Sequence, residues 1–156
     1  MNAEDQLELF LGRYTPDVAA TGRDAIARLR QRLPEATVLV YDNYNALAVG
    51  FAPSEKASQA ILSVALYPRW VNFFFLQGHT LDDPEKRLKG SGSVVRHITL
   101  TSAGDLDDPA VSALIDQALT TAKVPLDPKA QGRLVIKSVS ARQRPRRPEG
   151  KDALLL

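Results

Sequence analysis

His79, Asp82, Asp83 and Glu85 bring one imidazole and three carboxylates within seven residues. Oxygen-rich clusters with a nitrogen donor suit hard cations, so these four are the candidate metal ligands, with iron as the candidate ion. They also fit a polar loop entering a short helix, with Asp83 as its cap, Pro84 at the first position and Gly90 as the stop. A second cluster follows at once: Lys86, Arg87 and Lys89 lead into Gly90-Ser91-Gly92-Ser93, then Arg96 and His97. Glycines let backbone N–H groups converge on an anion, and flanking cations add charge. The G-x-x-x-x-G-K-[ST] spacing of nucleotide hydrolases is absent. The expected ligand is a small anion, set against the plainer reading of a flexible turn with solvated cations.

Tyr41, Asn43, Asn72 and His97 are polar groups on otherwise apolar segments, and Trp70 is the only Trp of the chain. Ordinary hydrogen bonding accounts for such groups, but together they would also make a pocket with an aromatic wall and a few polar anchors. The candidate ligand-binding residues are therefore Tyr41, Asn43, Trp70, Asn72, Lys89, Arg96 and His97. No catalytic residues are expected. The chain has no Cys and only two His, which excludes thiolate nucleophiles, Cys-based metal centres and a three-His site. No Ser–His–Asp order or paired-carboxylate motif is evident.

Charge is unevenly spread. Residues 133–156 carry seven basic and two acidic side chains, while the other 132 residues carry thirteen and sixteen. The basic character thus belongs to the C-terminal end. There Arg142, Arg144, Arg146 and Arg147 suit phosphates, with Pro145 and Pro148 keeping the segment extended. The body lacks a matching basic face or stacking platform in the sequence, so nucleic acid ranks behind a small molecule, an anion or a protein as partner. A short apolar end, Ala153–Leu156, is expected to dock on the domain or on a second subunit.

The elements that must position these residues follow from periodicity. Leu7, Phe10, Leu11 and Tyr14 share one helical face. Val18, Ile26, Leu29 and Leu33 form a second stripe, with Gly22 on it, and Pro34 ends that helix. Val111, Leu114, Ile115, Ala118, Leu119 and Ala122 define the clearest helix, opened by Asp108-Pro109. Strands are expected over Thr37–Tyr44, Ala46–Ala52, Ala60–Tyr67, Trp70–Gln77, Val94–Thr101 and Arg133–Ser140. In Trp70–Gln77 both alternating faces are apolar, so one of them needs a helix layer and the other some further cover. The expected fold is α+β: a single twisted antiparallel sheet of five to six strands, with amphipathic helices packed mainly on one face. One domain, 1–141, is expected to carry a basic tail, 142–156, that is flexible or draped. The acidic start (Glu4, Asp5, Glu8) does not read as a secretory signal. The longest apolar region is broken by Pro68, Arg69 and Asn72, short of the roughly 20 residues of a membrane span.

Three segments, VYDNYNALAVGF at 40–51, LYPRWVNFFFLQG at 66–78 and KGSGSVVRHITL at 89–100, resemble the YdhG-like bacterial domains of unknown function. That group is related in fold to YjbR-like proteins and more distantly to the frataxins. The resemblance implies an α+β sheet domain, and an iron-chaperone role is suggested for some relatives. Frataxins carry an acidic ridge on the first helix, where this chain has Glu4, Asp5, Glu8, Asp17 and Asp24 mixed with arginines. The leading expectation is a non-catalytic cytoplasmic binding or accessory domain. It would use the sheet face and the 89–97 turn, with a homodimer through that face as one form. A frataxin-like iron chaperone is the alternative, and nucleic-acid association through the tail a third reading.

Overall fold

A computed structural model of the chain describes residues 1–148. The Ala153–Leu156 end lies outside the described residues. The order is α1 (Ala3–Leu11), α2 (Pro16–Arg32), β1 (Thr37–Asp42), β2 (Leu47–Ala52), β3 (Leu62–Leu66), β4 (Val71–Phe75), β5 (Arg96–Leu100), α3 (Pro109–Thr121) and β6 (Leu134–Val139). The strands form one sheet in the order β5-β4-β3-β2-β1-β6. This is the expected α+β architecture with its helices on one side. No helix among the described residues is long and apolar enough to cross a membrane.

Local chemistry starts and stops the helices. Asn2 caps α1 by accepting from Asp5 N–H at 2.8 Å, and Asp108 caps α3 through Ala110 N–H at 2.9 Å. Proline occupies the first turn of both α2 and α3, where its missing N–H costs nothing. The buried stripes, Leu7/Phe10/Leu11 and Val18/Ala25/Ile26/Leu29, meet one face of the sheet. From the sheet that face presents Val40, Val49, Val64, Phe73, Phe75 and Ile98, with their neighbours. Each large side chain so buried stabilises the fold by about 1.5–3 kcal/mol. Alternation in β4 is resolved accordingly: Val71, Phe73 and Phe75 enter the core, while Asn72 and Phe74 point to the other face.

Two features differ from the sequence expectation. First, β6 pairs with β1 in parallel. The antiparallel rule follows from short links, but β6 is reached from the opposite edge of the sheet by way of α3. Second, residues 82–90 form turns and no helix. Lys86 has φ 53°, and Gly90 has φ 128°; a left-handed non-glycine residue breaks any helical run. Asp83 still meets backbone N–H groups, accepting from Arg87 at 2.9 Å and Leu88 at 2.8 Å. It closes a loop with the bonds it was expected to spend on a helix.

Gly22 shows how tightly the layers meet. A Cβ there would lie 2.5–2.8 Å from the fully buried side chain of Leu66. In an open helix Ala is favoured over Gly by about 1 kcal/mol. At this contact overpacking wins, so Gly22→Ala is expected to lower stability by about 1–3 kcal/mol. Urea unfolding checks this: a raised midpoint would mean that Leu66 has room to move aside.

Candidate functional site

The face of the sheet away from the helices holds two cross-strand rows. His97, Phe74, Ser63, Gly50 and Leu39 form one; Thr99, Asn72, Ala65, Ala48 and Tyr41 form the next. Small residues occupy the middle of both rows, so the face is a shallow trough with Phe74, Asn72 and His97 on one flank and Tyr41 on the other. The sheet thus brings Tyr41, Asn72 and His97 onto one face. Asn72 accepts from Thr99 Oγ1 at 2.8 Å, and the His97 ring lies 5.5 Å from that of Phe74. Burial pushes the Tyr41 phenol up, and its hydroxyl is buried without a hydrogen-bond partner among the described residues.

Trp70 lies just outside β4, at the β3–β4 turn. The residue is 47% exposed, and its ring sits 5.8 Å from that of Tyr67. What faces it comes from the other end of the chain. Residues 140–148 run along the β1–β2 turn: Ser140 N–H donates to Asp42 C=O and Arg144 N–H to Tyr44 C=O, both at 2.8 Å. Pro145 and Pro148 fix their own φ and hold Arg144 and Arg147 extended. The segment is anchored by Arg146, which donates to Asp42 Oδ1 at 2.8 Å with side chains only 4% and 1% exposed. Its guanidinium also stands 5.8 Å over the Tyr14 ring. Arg13 reaches the other Asp42 oxygen at 3.3 Å, and Gln143 Nε2 donates to Asp42 C=O at 3.0 Å. Basic residues 142–148 are thus draped, with their anchor buried.

The strap and the β3–β4 turn enclose a groove of about 570 Å³ lined by Asn45, Tyr67, Pro68, Arg69, Trp70, Arg144, Pro145, Arg147 and Pro148. Tyr67 stays a neutral donor, because burial pushes its phenol up. Six arginines elsewhere are paired with carboxylates: Arg23 with Glu8, Arg28 with Asp107, Arg30 with Glu4, Arg32 with Asp116, Arg87 with Asp108 and Arg133 with Glu55, while Arg96 is spent on the Gly92 and Val95 carbonyls. Among the described residues Arg69, Arg144 and Arg147 pair with no carboxylate. A larger cavity, about 650 Å³, lies between α3's C-terminal end and the Ser58–Ile61 segment, and Lys123 is its one charged lining residue among those described. The smaller groove therefore carries the stronger chemistry.

The other sequence candidates are dispersed. The oxygens of Asp83 are spent on Arg87 and Leu88 N–H groups, and His79 Nδ1 lies 3.2 Å from Val94 C=O. No three His, Asp or Glu side chains among the described residues are placed to hold a metal ion. Glu4 and Glu8, two of the three acids of the first helix, are tied to Arg30 and Arg23. In the glycine turn Arg96 donates to Gly92 C=O and Val95 C=O, and Lys89 is paired through its backbone with His97. Asn43 lies in the β1–β2 turn, where its carbonyl accepts from Arg146. The sequence reading kept Trp70 and the tail arginines apart; Pro68-Arg69-Trp70 beside Tyr67 was the signal that a cationic strap would find an aromatic wall.

Comparison with protein-family models, curated proteins and solved structures gives no match for this chain.

The anchor can be tested by cleavage. Trypsin is blocked by the prolines after Arg144 and Arg147, which leaves the exposed Arg142 and, buried against Asp42, Arg146; cleavage after Arg146 is the internal gauge of the strap. Removing one partner of a buried pair costs about 3–5 kcal/mol where the other stays buried; here Arg146 can leave with the strap. Asp42→Asn is therefore expected to speed cleavage after Arg146 at least tenfold with a smaller fall in the global unfolding midpoint. Unchanged cleavage would show that the strap is held by something else.

Proposed function

We propose that this chain is a non-catalytic binding domain that holds an anionic ligand, one bearing a planar ring, in the groove between Trp70 and the strap. One observation carries the reading: Arg69, Arg144 and Arg147 line the same groove as an exposed indole and have no carboxylate partner among the described residues, Arg147 giving only its Nε to Arg13 C=O at 3.1 Å. Guanidinium forks match phosphate and carboxylate oxygens in pairs, and an indole offers the best face for a cation or a flat ring. Guanidinium, indole, phenol, amide and proline groups suit holding a ligand more than transforming it. This reading is preferred to the iron-carrying one because no three His, Asp or Glu side chains among the described residues are placed to hold an ion, and Asp83, Glu4 and Glu8 are committed to backbone N–H groups and arginines. A cytoplasmic location and kinship with the YdhG-like domains belong to the same proposal; a chain without Cys and the three resembling segments support them.

Trp70 is the sole indole, so its emission reports the groove directly. Titration with adenosine triphosphate at low ionic strength is expected to change that emission saturably. The double substitution Arg69→Ala/Arg144→Ala should weaken binding at least tenfold, about 1.4 kcal/mol. Emission that does not respond, or responds equally in the double variant, would remove the reading.

A further inference from the structure

We infer that the occupant is a single-stranded nucleic acid, with phosphates on Arg69, Arg144 and Arg147 and bases running from Trp70 across the open sheet face to Phe74. The inference rests on the groove reading above and names its ligand class. Asn45 and Tyr67 line both the groove and the neighbouring trough, so the two form one continuous track. Rings recur along it: Trp70 beside Tyr67 at one end, Phe74 beside His97 at the other. Trp70, just before β4, and Phe74 within it are four residues apart, about 13 Å at strand rise, so a single base cannot stack on both.

The floor between these rings is built from small side chains. Ala48, Ser63 and Ala65 line the trough, and Gly50 continues the row between Ser63 and Leu39. A flat base can therefore approach the sheet without displacing a large side chain. Asn43, Asn45 and Ser63 supply donors and acceptors beside the track, where unstacked base edges would lie. Cations gather at the groove end and rings continue beyond it. A chain of alternating phosphates and bases fits that arrangement, since single-strand binders combine a basic groove with stacking platforms. A mononucleotide would leave the Phe74 end unused, and a duplex would hide the base faces the rings need.

Fluorescence anisotropy of a labelled oligothymidylate, roughly ten residues and so within the roughly 4–16 nucleotide reach of such sites, tests this on the full chain. It should bind at least tenfold more tightly than adenosine triphosphate. The log–log salt slope should be about −2, from three phosphates at roughly 0.7 each. Phe74→Ala should weaken the oligonucleotide about tenfold and leave adenosine triphosphate unchanged, as removal of one stacking surface predicts. If that variant does not melt cooperatively, Phe74→Leu keeps the apolar volume and removes the ring. An oligonucleotide bound no better than adenosine triphosphate overturns the inference while the groove reading stands; no binding of either overturns both. Polyglutamate displacing the oligonucleotide at equal charge would assign the track to an acidic protein segment and overturn it too.

Discussion

One buried ion pair holds the candidate site together. Asp42 ends β1 inside the structure, and Arg146 comes to it from 104 positions along the chain. Two charges out of water are costly unless each is hydrogen-bonded as well as paired. Arg146 also meets Asn43 and Tyr44 carbonyls, and Asp42 also meets Arg13. One donor remains unspent, since Arg146 Nε has no partner among the described residues. An apolar anchor would have held the segment with less desolvation. The ion pair gives direction: it admits one residue of the run Arg142–Arg147 and leaves its neighbours facing outward.

The layering explains why binding chemistry gathers at one end. Helices cover a single face, so the sheet must present the other to something else. Over most of its width that face carries glycine, alanine and serine, which expose little apolar area and invite no aggregation. Apart from Tyr41 on β1, the aromatic rings of that face lie on the β4 side and the turn leading into it. Most of the surface arginines elsewhere meet carboxylates, which cancels their reach in salt solution. In the groove three arginines stand together without that cancellation.

Much of this was legible from residue types. Helical stripes such as Leu7/Phe10/Leu11 and Val111/Leu114/Ile115 report directly on which side is buried, because periodicity and burial share one cause. The alternation of Phe73 and Phe74 separated two faces of β4, but which of them enters the core was not legible, because both are apolar. The turns at 82–90 were not legible: a capping aspartate and a following proline are common to helices and to Asx-closed loops, and the left-handed Lys86 has no sequence mark. Nor was the strap. Arginine and proline in a terminal segment read as solvated by composition, and nothing local to Asp42 shows that its counter-ion is distant.

Tyr14 adds a mechanical link between the two sides of the sheet. Its hydroxyl donates to Leu66 C=O at 2.9 Å and accepts from Leu47 N–H at 3.0 Å, two groups that face each other at the end of the β2–β3 ladder. A phenol stands there where a backbone bond would ordinarily close the pair. Burial pushes its ionisation up and keeps it a neutral donor. The strand ends it spaces lead straight to Asn45 and Tyr67, the residues shared by groove and trough. The width of that junction is thus gauged by a side chain from the helical layer, one hydroxyl bonded at once to the ends of both strands.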